Sequence, residues 1–293
     1  MGVAAPVIGV LGGSGVYEID GLENTRWEKV ESSFGEPSDE LLFGELNGQK
    51  LVFLPRHGRG HRISPAEVNY RANIDALKRA GVTEILSVSA CGSLKEELPP
   101  GTFVIADQFI DRTIMRDKSF FGTGLVAHVA LGNPTCSRLG DAVEESLKKL
   151  DIPHQRGGTY LAMEGPQFST IAESNLYRSW GCDVIGMTNM PEAKLAREAE
   201  MCYCTVAMVT DFDCWHPDHD HVTVDAIIAV LLDNADKGRS LVKETAPKLA
   251  KRTELCTCGC HTALDNAIIT MPGMRDSELV AKLDAVAGRV LKS

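Results

Sequence analysis

The sequence predicts an α/β fold in which helices flank a central β-sheet within a single domain. Short apolar segments rich in β-branched residues alternate with segments of helical periodicity, and this alternation is typical of a sheet covered by helices. No low-complexity linker, charge block or internal repeat divides the 293 residues. We therefore predict one domain over residues 1–293, with a cysteine-containing C-terminal segment that starts near residue 251.

The predicted strands are short and apolar, as expected for strands buried on both faces of a sheet. They are Val7–Leu11, Leu51–Leu54, Glu84–Val88, Thr102–Ile105, Asp183–Met187 and Cys202–Val209. Small or polar clusters lie at the ends of several of them: GGSG at 12–15, PRHGRGH at 55–61, SACGSL at 89–94, MTNMPE at 187–192 and TDFDCW at 210–215. Ligands of open α/β sheets bind beyond the carboxyl ends of the strands, so these clusters are expected to converge.

Helical periodicity is clearest in four segments. In the first, the sequence SPAE at 64–67 is a capping box with proline at the first helical position, and apolar residues follow at 70, 74 and 77. The other three are Asp141–Leu150, Asp225–Leu249 and Ser277–Leu291. The segment Asp111–Gly132 has few periodic signals and is predicted to be a long surface loop.

Composition and charge exclude several classes of protein. The longest apolar runs fall well short of the roughly 18 residues that a membrane span needs. The N-terminus lacks the basic region of a signal peptide, so a soluble, cytoplasmic protein is expected. A net charge of −10 disfavours nucleic acid as a partner, because binding a polyanion requires clustered cations. A small anionic substrate remains compatible with this charge.

The cysteine and histidine clusters are candidate metal sites. Nine cysteines are an odd number spread over a mid-sized chain, which argues against a disulfide scaffold. In CTCGCH at 256–261 the C-x-C spacing is less usual for zinc than C-x-x-C, and buried or disulfide-capable thiols are favoured. His216, His219 and His221 also lack a usual zinc spacing. We predict no metal site.

Two clusters have the chemistry of a phosphate site. The glycines around Ser14 let backbone N–H groups approach an anion, although a tight strand-to-helix turn is an equal alternative. Arg56 offers a fixed fork for two phosphate oxygens, and His57 can add a hydrogen bond. A surface arginine beside a structural histidine is the alternative interpretation of this pair.

Asp211 and Asp213 follow the most strongly apolar predicted strand. A carboxyl group in an apolar setting has a raised pKa and can act as a general acid. The alternative is a solvated pair that caps the next helix.

Taken together, the clusters resemble the trimeric purine nucleoside phosphorylase superfamily, and within it the branch that acts on 5′-methylthioadenosine. The resemblance runs from about Val7 to at least Lys237. It depends on seven motifs in order: GGSG, PRHGRGH with PAEVNYRANI, ACGSLKEE, DQFIDRT, EGPQFST, WGCDVIGMTNMPEA and MVTDFDCW.

The resemblance implies a mixed, twisted sheet and a homotrimer, which either stays a trimer or pairs into a hexamer. It also implies that the enzyme uses no cofactor and takes inorganic phosphate as a co-substrate. It implies that phosphate is held by Ser14, Arg56, His57, Ser89, Ala90 and Thr188. Met187 is expected against the ribose, Phe168 and Ser169 near the base, and His128 at a neighbouring subunit's site. The CTCGC element resembles one in thermostable members, where it implies a disulfide.

The expected reaction is phosphorolysis of 5′-methylthioadenosine to adenine and 5-methylthioribose 1-phosphate, with some activity on adenosine. Asp211 is expected to share a proton with purine N7 and, with Asp213, to favour a 6-amino over a 6-oxo purine. Val224, Ile227 and Ile228 form an apolar helix face that is expected to enclose the methylthio group, unless the stripe is ordinary core.

Two alternatives stay open from the sequence. One is a phosphorylase of 6-oxopurine nucleosides or methylthioinosine, against which Asp211 argues. The other is a nucleotide- or metal-binding regulatory module that uses the glycine-rich turn and the cysteine and histidine clusters.

Overall fold

The structure is a computed structural model that describes residues 5–13, 15–217, 224–252 and 254–292, with only the backbone for 224–229. Its strands are β1 (Ile8–Gly12), β2 (Glu23–Glu28), β3 (Leu41–Leu46), β4 (Gln49–Pro55), β5 (Glu84–Ser93), β6 (Phe103–Ile105), β7 (Gln108–Asp111), β8 (His154–Arg156), β9 (Thr159–Ala162), β10 (Val184–Gly186) and β11 (Cys202–Asp211). Its α-helices are α1 (Tyr70–Arg79), α2 (Ser137–Lys149), α3 (Ile171–Ser179), α4 (Glu192–Glu198), α5 (Val224–Ala250), α6 (Ser277–Lys282) and α7 (Gly288–Leu291). Short 3-10 turns cover Cys260–Thr262 and Pro272–Met274.

All eleven strands belong to one mixed sheet, in which β5 is the central element. The main path is β2-β3-β4-β1-β5-β10-β9-β7, and β11 pairs with β5 and leads to β6 and β8. Strand β5 is parallel to β1 and β11, whereas β10 pairs antiparallel with its C-terminal end. The carboxyl ends of β1, β4, β5 and β11 therefore meet at the same edge.

Helices cover both faces of this sheet, because the central strands are apolar on both sides. Along β4, Val52 and Leu54 pack in one core with residues of α1 and α4, whereas Leu51 and Phe53 pack in another with residues of α2 and α5. This alternation is the period-2 pattern of a fully buried strand. The prediction of an α/β domain with a central mixed sheet flanked by helices is confirmed.

The six predicted strands are present, but the predicted start of the first helix is wrong. The Ser64 hydroxyl donates to Glu67 Oε2 over 2.5 Å and Glu67 N donates to Ser64 O, so these residues close a separate turn. The helix begins at Tyr70 with Asn69 as its N-cap, whose side chain accepts from Ala72 N. Asn69 also donates to Phe34 O, and this contact with a distant segment is invisible in the local pattern.

Two other predictions need correction. The helix predicted over Ser277–Leu291 is divided into α6 and α7, and Gly288, a weak helix former, lies at the start of α7. The segment Asp111–Gly132 is irregular but is only partly a surface loop. Phe120 and Leu125 are buried in the core, whereas Ile114 and Met115 are exposed.

None of the helices in the described ranges combines the length and the apolar character needed to cross a lipid bilayer.

Candidate active site

A cavity of about 290 Å³ lies at the carboxyl ends of the central strands. Its volume is close to the lower end of the roughly 300–1,000 Å³ typical of small-molecule sites. It is lined by residues that follow β1, β4, β10 and β11, by the C-terminal half of β5, and by α5. The convergence of strand-end clusters that the sequence predicts is therefore present.

Most of the predicted site residues line this cavity together: Arg56, His57, Ser89, Ala90, Phe168, Met187, Thr188, Asp211 and Asp213. Ser169 does not, but its hydroxyl lies 3.7 Å from the Sδ atom of Met163, which does. His128 is exposed and is not part of the lining. Ser14 and the side chains of Val224, Ile227 and Ile228 lie outside the described residues.

Arg56 is held in the interior by a carboxylate that sequence reasoning missed. Its Nε donates to Glu192 Oε2 over 2.8 Å, and its Nη2 donates to Glu192 Oε1 and to the Ser87 hydroxyl. Nη1 makes a 3.3 Å bond to Val88 O. Because a guanidinium Nη carries two hydrogens, Nη1 keeps one N–H beyond this bond.

Glu192 is ionised although it is buried. Burial alone would raise the pKa of this carboxyl, but the charge of Arg56 and hydrogen bonds from Ser87 and Tyr203 lower it below its usual value. The pair therefore keeps both charges in the interior, where an unpaired charge would be costly. Glu192 belongs to the strand-end cluster MTNMPE, and an acidic residue in such a cluster was the only local signal for it.

His57 is neutral at physiological pH. Burial lowers its pKa to about 4, and the charge of Arg56 adds to this effect. Its Nδ1 lies 3.0 Å from Ile63 O, which only accepts hydrogen bonds, so Nδ1 carries the proton and Nε2 is an acceptor. The ring stacks on that of His61 at 4.4 Å between centroids.

Hydroxyl groups complete this side of the cavity. The buried Ser89 hydroxyl has no hydrogen-bond partner among the described residues, although it lines the cavity. The Thr188 hydroxyl lies 3.3 Å from that of Tyr160. A buried hydroxyl without a hydrogen-bond partner destabilises the folded protein, and a hydrogen bond from a polar ligand would remove that penalty.

Two carboxyl groups with raised pKa values lie on the cavity wall at the C-terminal end of β11. The Asp211 carboxyl accepts from the Thr210 hydroxyl over 2.7 Å and from Asp213 N over 2.8 Å. Burial raises the pKa of Asp211, and these two bonds reduce that shift without reversing it. Burial also raises the pKa of Asp213 to about 6, with a further contribution from the charge of Asp211.

Apolar side chains occupy the rest of the lining. Val16, Met208, Leu231 and Ala235 come from β11, α5 and the segment after β1, and Phe168 lies nearby with half of its surface exposed. The cavity therefore combines cationic and hydroxyl groups, titratable carboxyls and apolar surface, which suits a ligand of mixed character.

Comparison with known proteins agrees with this geometry. The family model described as "Phosphorylase superfamily" matches residues 7–247. The chain is 71% identical to an S-methyl-5′-thioadenosine phosphorylase of Rhodospirillum rubrum, over 98% of this chain and 97% of the relative. It is 64% identical to the enzyme of the same name from Cereibacter sphaeroides, over 98% and 99%.

The fold also matches solved structures of methylthioadenosine phosphorylases. A methylthioadenosine phosphorylase from an antarctic soil metagenomic library superposes with a TM-score of 0.90 at 47% identity, covering 96% of this chain and 99% of that one. The Schistosoma mansoni methylthioadenosine phosphorylase in complex with adenine gives 0.78 at 36%, covering 84% and 92%. These relatives are enzymes, which argues against the regulatory-module alternative. The chain belongs to the phosphorylase superfamily and, within it, to the S-methyl-5′-thioadenosine phosphorylases.

Proposed function

We propose that the chain catalyses the phosphorolysis of 5′-methylthioadenosine to adenine and 5-methylthioribose 1-phosphate, and that it also accepts adenosine. The observation that carries the proposal is one cavity that joins Arg56 and the unpartnered Ser89 hydroxyl to the Asp211 carboxyl, whose pKa is raised. Cationic and hydroxyl donors suit the attacking phosphate, and a carboxyl with a raised pKa suits proton donation to the departing base.

In the proposed reaction a phosphate oxygen attacks C1′ while the bond from C1′ to N9 breaks. The electron pair of that bond passes to the purine, and N7 takes a proton or strong hydrogen bond from Asp211. Such general acid catalysis is worth roughly 10²–10⁴-fold. Fixing phosphate and nucleoside in one cavity adds to this because it makes the encounter intramolecular.

Phosphate is proposed to lie among Ser14, Arg56, His57, Ser89, Ala90 and Thr188. The Arg56 Nη1 group and the Ser89 hydroxyl are the free donors that support this placement. His57 Nε2 is an acceptor, so its partner in our proposal is the P–OH group of hydrogen phosphate. This changes the donor role that the sequence predicts for His57.

The base is proposed to lie against Phe168 and Ser169 and beside Asp211 and Asp213. An ionised Asp213 accepts from a 6-amino group but repels a 6-oxo group, which favours adenine over hypoxanthine. The ribose is proposed to contact Met187, which lines the cavity. The 5′ group is proposed to face Val224, Ile227 and Ile228, and the apolar Leu231 one turn further along α5 supports an apolar environment there.

A homotrimer is proposed as the working assembly, with His128 reaching the neighbouring subunit's cavity. The support for this assembly is that the segment Asp111–Gly132, which carries His128, also has exposed apolar side chains: Ile114 and Met115 are 83% and 81% exposed. Exposed large apolar side chains in a cluster are typical of subunit contacts. We also propose a cytoplasmic enzyme that needs no cofactor besides its co-substrate phosphate.

Base release tests the proposed function. Adenine formation from 5′-methylthioadenosine and adenosine, and hypoxanthine formation from inosine, are followed with and without phosphate. We expect adenine release that requires phosphate, fastest with methylthioadenosine. Equal release without phosphate would indicate a hydrolase, and faster hypoxanthine release would favour the 6-oxopurine alternative.

A further inference from the structure

Four cysteine side chains from distant parts of the chain meet on the far side of the sheet from α1. The Sγ atoms of Cys136, Cys202, Cys256 and Cys260 all lie within 4.8 Å of one another, and we call them the thiol cluster. None of the four belongs to the lining of the cavity formed by the described residues. The cluster therefore has no place in the proposed reaction.

The backbone fixes three of these thiols. Cys136 is the N-cap of α2 and its N–H donates to Tyr203 O, and Cys202 begins β11 and donates to Thr83 O. Cys260 begins a 3-10 turn after Gly259, whose φ of 68° brings the chain back toward the sheet. These three residues are buried, and Cys256 is half-buried.

The spacing of the sulfur atoms fits an ion better than a disulfide. A tetrahedral site with Zn–S bonds of about 2.3 Å has sulfur atoms about 3.8 Å apart. The Sγ atoms of Cys202 and Cys256 are 3.4 Å apart, and the other pairs are within 4.8 Å. Disulfide sulfurs are about 2.05 Å apart, so the Sγ atoms of Cys202 and Cys256 are too far apart for that bond.

The surroundings suit an anionic thiolate centre. His261 Nε2 lies 3.4 Å from Cys202 Sγ and can donate to a thiolate there. Arg138, in the first turn of α2, interacts electrostatically with Cys136 and Cys202. The N-terminus of α2 adds a partial positive charge beside Cys136. Four thiolates and one divalent ion carry a net charge of −2. Arg138 also pairs with Glu84, so these groups offset only part of that charge.

We propose that the thiol cluster is a structural zinc site with Cys136, Cys202, Cys256 and Cys260 as its four ligands. A closed set of four thiolates, with no position for water, is typical of structural rather than catalytic zinc. This proposal departs from our prediction of no metal site, and its ligand set differs from the cysteines and histidine considered from the sequence. Cys258 is not among the four thiols that converge, and its Sγ lies 3.2 Å from the Ser137 hydroxyl instead. His261 is a hydrogen-bond partner of a ligand.

The site would join the C-terminal segment to the sheet. Cys256 and Cys260 follow α5, and the chain beyond them pairs with the loop that carries His128. His128 N donates to Ala267 O over 2.9 Å, and Ile269 N donates to Val126 O over 3.0 Å. Zinc would therefore stabilise residues 254–292 against unfolding without touching substrate.

Metal analysis of the full-length protein tests the proposal. The protein is purified under reducing conditions from zinc-supplemented cells, without an affinity tag that binds metal. We expect about one zinc per chain, bound with four protected thiols. Replacement of zinc by cobalt is expected to give the intense thiolate-to-metal charge-transfer band and visible bands of a tetrahedral all-sulfur site. Chelation is expected to lower the melting temperature.

A matched pair of variants comes from the same CTCGC element. Cys256→Ser is expected to lose zinc, whereas Cys258→Ser is expected to retain it. Zinc far below one per chain together with no cobalt band would overturn the proposal, and both measurements use the unaltered protein. A non-reduced mass showing a disulfide among the four cysteines would overturn it as well, as would equal zinc loss in the two variants. None of these readouts depends on phosphorolysis.

Discussion

Arg56 and Glu192 form an ion pair inside the protein, beside the cavity that we assign to phosphate. The distance from Arg56 Nε to Glu192 Oε2 is 2.8 Å, and each side chain is 1% exposed. Ser87 and Tyr203 donate further hydrogen bonds to the same carboxylate. The pair joins the end of β4 to the start of α4, so it fixes the position of the guanidinium before any ligand arrives.

Glu192→Gln is expected to destabilise the protein strongly. The amide keeps the size of the side chain but leaves the Arg56 charge buried without a counter-ion. Breaking a buried pair in this way costs about 3–5 kcal/mol of the free energy of unfolding. Urea unfolding measures this loss, and added phosphate is expected to recover part of it.

The matched control is Glu36→Gln, which breaks the exposed pair between Lys29 and Glu36. An exposed pair contributes only about 0–1 kcal/mol. Similar losses in the two variants would contradict the role that we give to burial.

Arg56→Lys is expected to raise the KM for phosphate more than the KM for nucleoside. Lysine keeps the positive charge beside Glu192 but lacks the planar guanidinium. The N–H of Arg56 Nη1 that is not bonded to Val88 O is therefore lost as a donor to phosphate. Steady-state kinetics with each substrate varied in turn measure the two constants. An unchanged phosphate KM in a folded variant would remove Arg56 from the phosphate site.

The central strands were predictable because each is apolar on both faces and ends in polar or glycine-rich residues. Strands β2, β3, β7, β8 and β9 were missed. Of these, β2, β7 and β8 are partly exposed edge strands, as along Glu23–Glu28. Strands β3 and β9 are short segments that the strands on both sides help to bury. The predicted start of α1 was wrong because Asn69, the N-cap, is held by a hydrogen bond to the carbonyl of Phe34, which is distant in sequence. Local patterns do not contain such contacts.

The site residues were predicted through the motifs, whereas their partners depend on the folded structure. Glu192 is a buried counter-ion only because β4 and α4 meet. The acceptor state of His57 Nε2 follows from the Ile63 carbonyl, which no pattern indicates. In the thiol cluster, Cys136 and Cys202 lie far from Cys256 and Cys260 in sequence, so spacing alone could not indicate that these four thiols meet.

Asp211→Asn is expected to shift preference from adenosine toward inosine. When ionised, Asp211, like Asp213, accepts from a 6-amino group and repels a 6-oxo group, whereas the amide of asparagine can donate to that oxygen. A mismatched buried polar contact costs about 1–3 kcal/mol, or roughly 5–150-fold in the ratio of kcat/KM values. Asp211→Ala is the control, since it removes the carboxyl without adding a donor and should not favour inosine. Equal losses on both nucleosides in Asp211→Asn would contradict the assignment.

Asp213→Asn is expected to stabilise the protein at neutral pH. The pKa of Asp213 is raised from 3.8 to about 6, so the folded state holds its proton more tightly than the unfolded chain. The carboxyl therefore reduces stability as pH rises through this window, by about 1–3 kcal/mol when complete. Asparagine tolerates the left-handed backbone of residue 213, where φ is 54°.

Urea unfolding at several pH values measures this effect. The gain in Asp213→Asn is expected above pH 6 and is expected to vanish below the ordinary pKa of an aspartate. The exposed Asp20→Asn variant serves as the control and should show little change at any pH. A gain that is independent of pH would show that ionisation of Asp213 is not its cause.

Gly92→Ala is expected to impair the reaction by moving the Asp211 carboxyl. A Cβ atom at residue 92 would lie 2.9 Å from Asp211 Oδ1 and 3.3 Å from Asp213 N, so the carboxyl or the turn that holds it must shift. A misplacement of about 1 Å at a reacting group costs about 10²-fold in rate. We expect a loss of that order in kcat for methylthioadenosine, with a smaller change in the KM for phosphate. Gly132→Ala is the control, because a Cβ there meets nothing within 4 Å. Full activity in a folded Gly92→Ala variant would show that the reaction does not depend on the position of Asp211.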